Sequence, residues 1–263
     1  MGHFANVNGV HREIVGGRTS VDGIEREITL GKTGVNGIEY DIPFDRRIGS
    51  LPVGSMVYTN IDGELREFVI VQQGLPSSMY SQTCNDTWLL MKDIYADIIW
   101  SKIVDSLDST FLPKFDAEIQ NKIKEVKIPY FYGKSNPDVQ VGENGKSARI
   151  FFLSASEVGY EGVNPSTQKE DGTLLSYFEH GNGEDARQKR IAYLNGVAKA
   201  WWTRSLSDNG VDNTVFTIGP TGNSTSMHIK DGADYTSSKI SGVRPAFILP
   251  SETRVNRNHI IKP

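Results

Sequence analysis

Apolar and polar positions alternate from the first residues onward, and they do so in a repeated phrase. Val7-Asn-Gly-Val-His-Arg-Glu-Ile14, Val21-Asp-Gly-Ile-Glu-Arg-Glu-Ile28 and Val35-Asn-Gly-Ile-Glu-Tyr-Asp-Ile42 recur at a period of 14 residues. Gly9, Gly23 and Gly37 each follow Asn or Asp, pairs that accept positive φ in a tight turn, and an alternating run follows each. Each unit therefore reads as a turn plus one short strand. Fourteen residues cannot enclose a core, and three such units need neighbours to be stable. Two arrangements meet that need: a small sheet packed on the following domain, or a docking arm ordered by a partner assembly through its free strand edges. Residues 45–50 read as the linker that ends the repeat, dividing the chain into an arm, 1–47, and one domain, 48–263.

Beyond the repeat the texture changes. Short apolar runs at 54–59, 65–71 and 87–91, each bounded by Gly, Pro, Asn or Asp, are strand signals. Tyr95, Ile99, Ile103 and Leu107 recur at four-residue spacing, as do Phe115, Ile119 and Ile123, which predicts two short helices with a break at Pro113 and an exit at Pro129. A third short helix is expected at 174–179. Strand signals return at 149–153, 200–205, 214–218, 226–229 and 242–249. Strands, then helices, then strands is the order of an α+β domain rather than of an alternating parallel one.

Composition narrows what such a domain does. The 28 Lys plus Arg against 32 Asp plus Glu give a net charge of −4, the wrong sign for neutralising many phosphates, so nucleic acid is not an expected partner. No run approaches the ~18 apolar residues of a membrane span, and the opening MGHFANVNGVHREIVGG lacks the basic head and apolar run of a secretory leader. Lone Cys84 can form neither an internal disulfide nor a redox pair, which fits a chain made in a reducing cytosol.

A set of phrases in the domain carries a resemblance. L-P-V-G-S at 51–55, Q-G-L-P-S-S-M-Y at 73–80, T-W-L-L-M-K-D at 87–93, K-I-P-Y at 127–130, F-L-S-A-S-E-V-G at 152–159, R-I-A-Y-L-N-G at 190–196, W-W-T-R-S at 201–205 and G-V-R-P-A-F-I-L-P at 242–250 resemble a family of uncharacterised proteins common in bacteriophages and prophages of gram-positive bacteria. That family is similar in turn to the C-type-lectin-like fold of formylglycine-generating enzymes and of the variable ligand-binding proteins that diversity-generating retroelements mutate. The V-N-G repeat resembles amino-terminal segments of phage tail-associated proteins. The resemblance implies a C-type-lectin-like domain behind a short β-rich repeat arm, located on a virion tail or particle surface.

The chemistry such relatives use is then testable against the residues. The oxidases hold copper between two cysteines, and one Cys cannot supply that site. Calcium lectins need carboxylate and amide oxygens around a proline, but no acid precedes Pro137 or Pro165, so both read as turns. His3, His11, His180, His228 and His259 have no zinc-hydrolase spacing, and Ser154 and Ser205 lack a nucleophile elbow. Glu157, Glu161, Glu170, Asp171, Glu179, Glu184 and Asp185 supply carboxylates, which read as solvated loop residues rather than a glycosidase pair. No catalytic residue, metal or cofactor is expected.

Arg204 and Arg244 sit in apolar strand contexts where a guanidinium must be satisfied, and they read as structural braces, with anion binding as the other option. Trp201 and Trp202 read as core plus rim, since alternation sends their rings to opposite faces. The recognition surface is expected in the polar stretch 207–241, at Asn209, Asn213, Asn223, Thr225, His228, Asp234, Tyr235 and Thr236. The expected function is non-catalytic host attachment through these loops to a cell-surface glycan or protein, with 1–47 tethering the domain to other tail or virion proteins. A homo-oligomer, on the pattern of tail trimers, is the expected state. A purely structural baseplate, fibre or decoration subunit is the alternative, and an enzyme acting on envelope glycans is a third class.

Overall fold

The computed structural model describes residues 4–7, 10–13, 18–21, 24–27, 32–35, 38–41, 45–99, 103, 105–133, 137–160, 169–206, 214–228 and 240–262. Each 14-residue unit is a hairpin of two strands rather than a turn and one strand. β1 (Phe4–Val7) pairs with β2 (Val10–Glu13), β3 (Arg18–Val21) with β4 (Ile24–Glu27), and β5 (Lys32–Val35) with β6 (Ile38–Asp41). Val7 faces Val10, Val21 faces Ile24 and Val35 faces Ile38, so two residues, Asn-Gly or Asp-Gly, separate each closing pair. The strand before each turn escapes a reading by periodicity because Arg18-Thr-Ser and Lys32-Thr-Gly carry no apolar alternation.

The linker reading of 45–50 is corrected. β7 (Arg46–Arg47) pairs antiparallel with β21 (Arg254–Val255), Ile48 N–H donates to Thr253 O at 2.8 Å, and Lys262 Nζ donates to Asp45 Oδ2 at 2.7 Å. Ile48 is fully buried. The domain thus begins at Asp45, held to its own carboxy-terminal stretch.

Its first sheet has the order β20-β10-β9-β8, all antiparallel: β8 (Met56–Ile61), β9 (Glu64–Gln73), β10 (Thr87–Met91) and β20 (Ala246–Leu249). All five residues of β10 are buried, as expected of a strand covered on both faces. Alternation sorts the side chains. Phe68, Ile70, Leu89, Met91 and Phe247 join one cluster, with Phe111, Phe115, Ile119 and Ile123 from the helical stretch, while Val69, Val71, Trp88, Leu90 and Ile248 join a second.

The second sheet has the order β11-β19-β16-β17-β18, from β11 (Ala96–Ile99), β16 (Trp201–Leu206), β17 (Thr214–Ile218), β18 (Ser224–His228) and β19 (Ile240–Val243). Only its β16–β19 contact is parallel. Two short hairpins complete the strands: β12 (Val126–Ile128) with β13 (Lys146–Ala148), and β14 (Ala192–Leu194) with β15 (Val197–Lys199). Among the described residues the helices are α1 (Leu107–Phe111), α2 (Ala117–Lys122) and α3 (Glu184–Arg190). The architecture is α+β and dominated by strands.

Several element predictions are revised. The helix expected from Tyr95 is a strand over Ala96–Ile99, because Val243, Gly242, Ser241 and Ile240 pair with it from far along the chain. The helix expected at 174–179 is turns, and α3 follows it instead, with Glu184 and Asp185 in its first turn and Arg187, Lys189 and Arg190 in its last, complementing the helix dipole. Residues 149–153 form no named strand and touch the first sheet through one bridge, Phe151 to Ala246. The run 242–249 is two strands in two different sheets, parted at Arg244-Pro245.

Candidate binding face and the buried brace beneath it

The stretch 207–241 is organised by β16, β17, β18 and β19. Leu206 ends β16, Thr214 begins β17 and pairs with His228, the last residue of β18. Segment 207–213 therefore joins β16 to β17 at one end of the second sheet. Segment 229–239 starts at that end, after His228, but re-enters the sheet at Ile240, beyond the other end, because β19 pairs parallel with β16 through Gly242 and Trp201. Asn209, Asn213, Asp234, Tyr235 and Thr236 lie outside the described residues. Thr225 and His228 are placed by their backbone on β18, opposite Thr217 and Thr214. Asn223 is corrected: it lies exposed in the β17–β18 turn, at the opposite end of the sheet, because β18 runs from that turn toward the other rim.

Beneath this rim sits Arg204. The ladder between β16 and β17 shifts register between Trp202 and Leu206, and Thr203, Arg204 and Ser205 are all buried there. Arg204 Nη1 and Nη2 donate to Glu157 Oε2 and Oε1, both at 2.6 Å; Nη1 also donates to Phe152 O (2.9 Å), Nη2 to Asp171 O (2.9 Å), and Nε to Pro129 O (3.2 Å). Five bonds use the whole guanidinium fork, the condition under which a buried charge pair is tolerable. Burial opposes the charge of Arg204, but Glu157 and then Asp171 outweigh it and hold the group more firmly protonated than a free arginine.

Glu157 is shared further. Its Oε1 accepts from the Tyr80 hydroxyl (2.8 Å) and its Oε2 from Ser154 N–H (2.8 Å), while Glu157 N–H donates to Ser154 Oγ (3.0 Å). Ser154-Ala-Ser-Glu157 is thus a capping box, in which serine and glutamate side chains reciprocally satisfy backbone donors three residues apart. The Asp171 carboxylate accepts from Ser205 Oγ at 2.8 Å, and Ser205 Oγ accepts from Ala155 N–H at 2.8 Å. Burial pushes Asp171 up to about 6, against the pull of Arg204, and burial likewise raises the Tyr80 hydroxyl, aided by Glu157. Glu157 and Asp171, expected as solvated loop residues, are instead fully buried parts of a brace. The S-x-x-E spacing is a local signal that could have found the box; the nearness of Asp171 and of Tyr80, 77 residues from Glu157, had none.

Arg190 was missed because A-R-Q-K-R reads as a solvated face. It is fully buried, and its guanidinium donates to Gly222 O (2.9 Å), Val158 O (3.2 Å), Gly159 O (2.9 Å), Gly181 O (2.5 Å) and Asn182 Oδ1 (3.3 Å). Arg244 differs from both. Nε donates to Met91 O (2.7 Å) and the guanidinium carbon lies 4.9 Å from the Trp201 ring centre, but Nη1 is buried and has no hydrogen-bond partner among the described residues. Burial lowers its pKa to about 10. The brace expectation is met by Arg204 and only weakly by Arg244.

Trp201 and Trp202 do point to opposite sides, one into each core cluster, but both are fully buried, so neither is a rim residue. Their indole N–H groups donate to Arg190 O and Ile98 O, each at 2.8 Å. Glu170 is exposed, Glu179 pairs with Lys189 at 2.7 Å, and Glu161 lies outside the described residues. Cys84 is fully buried, its thiol directed at Lys127 O (3.3 Å) and pushed up to about 12 by burial. Among the described residues no three His, Cys, Asp or Glu side chains gather as metal ligands, and no helix is long and apolar enough to cross a membrane.

Two sheets with few and short helices define a β-rich α+β domain. The chain belongs to the family described as a domain of unknown function, DUF6273, whose family model matches residues 85–251, more than half of the sequence. No curated protein and no solved structure matches it. The matched region takes in Glu157, Asp171, Arg190, Arg204 and Arg244 but excludes Tyr80, β8, β9 and β21.

Proposed function

We propose that the chain is a non-catalytic attachment protein of a phage or prophage tail, with a C-type-lectin-like domain that binds a host surface ligand through segments 207–213 and 229–239. The observation that carries this reading is topological: β16 ends, β17 begins and β18 ends at one edge of the second sheet, so both polar segments attach there, two residues beyond the Arg204 brace. A braced edge from which polar connections depart suits a binding face. The engagement of Glu157 and Asp171 by Arg204 and Ser205 argues for structural rather than acid–base duty. The hairpins of residues 4–41, each with two free edges, suit the tethering role, since an added strand from a neighbour completes such a ladder.

The full-length chain, fluorescently labelled and incubated with susceptible gram-positive cells, should adhere to them. Replacing 207–213 and 229–239 with Gly-Ser segments of equal length should abolish adhesion while leaving the unfolding transition in place. Adhesion that survives both replacements defeats the proposal.

A further inference from the structure

A cleft opens between α1 and the β12–β13 hairpin, with a volume of about 80 Å³. Asp105, Asp108, Tyr130 and Lys146 line it, and Phe152 and Arg204 stand among its inner residues. At the ~30 Å³ a water occupies in the liquid, it holds about three waters, enough for one or two substituents of a six-membered ring but not for a folded partner. Next to it, Tyr132 presents an aromatic ring that is 46% exposed, with its centroid 4.7 Å from that of Tyr130. Gly133, next to Tyr132, lies beside the Leu206 side chain at the end of β16.

Each cation of the cleft is paired with a carboxylate, and Asp108 adds a further negative charge. Lys146 Nζ sits 2.9 Å from Asp105 Oδ1 and 4.5 Å above the Tyr130 ring. The Asp108 carboxylate accepts from the backbone N–H groups of Arg149 (3.0 Å) and Ile150 (2.6 Å), and Arg204 is neutralised by Glu157. An anionic ligand would find no uncompensated cation here. A neutral polyhydroxylated ring would find carboxylate acceptors, an ammonium with protons to spare, and a flat apolar surface for its C–H face.

We infer that the Asp105–Lys146 cleft and the exposed Tyr132 ring form a subsite for a neutral hexopyranose unit of a glycan. This deepens the attachment reading, on which it rests for the source of the sugar. Saturation-transfer NMR of the full chain with maltotriose, chitotriose and galactobiose tests it. At least one of these should receive saturation on one face of a ring. Tyr132→Ala should weaken that binding about tenfold, and Lys146→Met should weaken it as well. Tyr193→Ala removes a comparably exposed ring on β14, 44% exposed, and should leave binding unchanged. No transfer to any of the three sugars, or equal effects of Tyr132→Ala and Tyr193→Ala, overturns the inference. Cell adhesion separates the two readings. Adhesion undiminished in Tyr132→Ala sinks the subsite and leaves the attachment reading standing. Sugar binding by a chain that adheres to no cell sinks attachment and leaves the subsite.

Discussion

Arg204 and Arg244 come from similar sequence surroundings, an arginine inside an apolar run, yet their energetics are opposed. Arg204 is bonded through all its nitrogens and carries the counter-charge of Glu157; among the described residues Arg244 has one backbone acceptor, an indole face and an unpartnered Nη1. Removing one member of a buried pair strands the other, at a cost of about 3–5 kcal/mol, whereas removing a poorly compensated buried charge costs far less. Arg204→Met should therefore lower the unfolding free energy by about 3–5 kcal/mol, while Arg244→Met, which keeps a stem against Trp201, should change it by less than about 1 kcal/mol in either direction. Urea titration of both variants decides it, and equal losses would mean that Arg244 has a counter-ion. Asp171 supplies a pH dependence of unusual sign. Burial raises it from 3.8 to about 6, so between those values the folded state binds this proton more tightly than the unfolded chain does. Its contribution to stability is greatest below about pH 4, falls as pH rises through the window, and is lost above about 6. Asp171→Asn removes the burden while keeping an acceptor for Ser205 Oγ. The stability gained by the variant over the parent should grow from pH 4 to 6 by up to about 3 kcal/mol and then level off. A difference that is flat across that range would refute the assignment.

At the scale of elements, what could be read in the sequence depended on how far away the determining partner lies. Phe115, Ile119 and Ile123 marked a helix where α2 lies because helix spacing and the Pro113 break are local signals, but α2 ends at Lys122 well before the expected exit at Pro129, since Val126–Ile128 pairs with Lys146–Ala148 as β12. Trp88-Leu-Leu-Met and Val215-Phe-Thr-Ile gave β10 and β17 through equally local signals. The same four-residue spacing misled at Tyr95, since Ile98 and Ile99 satisfy a helical period and a strand equally, and the strand wins only because β19 supplies the ladder from residues 240–243. The split of 242–249 between two sheets was hidden for a related reason: an unbroken apolar run looks like one strand, and only the burial of Arg244 at the crossing shows that the chain changes sheets there. The brace shows the same divide. Arg204 was legible as a buried charge needing partners, while Glu157 was read as a solvated carboxylate; the meeting of the two with Tyr80, Asp171 and Ser205 is a property of chain crossings that local sequence does not carry.

At the scale of the molecule, the boundaries of the folding unit are wider than the region the family shares. Residues 85–251 include β10 and β20 but omit β8 and β9, half of the first sheet, and with them the buried Val57, Ile61, Phe68, Val69, Ile70, Val71 and Tyr80. Without β9, β10 would present a bare ladder edge and an uncovered apolar face. A fragment of 85–251 should show no cooperative transition in urea. At the start of the unit, Ile48 is buried in the first core cluster and β7 closes on β21. A fragment of 45–263 should unfold within about 1 kcal/mol of the full chain, because it retains every described core contact. Starting at 51 deletes Ile48 and β7, and should cost about 2–5 kcal/mol, as expected for emptying a buried isoleucine site. Urea curves for the three fragments rank these expectations. If 51–263 matched 45–263, the pairing of the domain's first strand with its last would have no energetic role, and the repeat arm would be joined through a true linker after all.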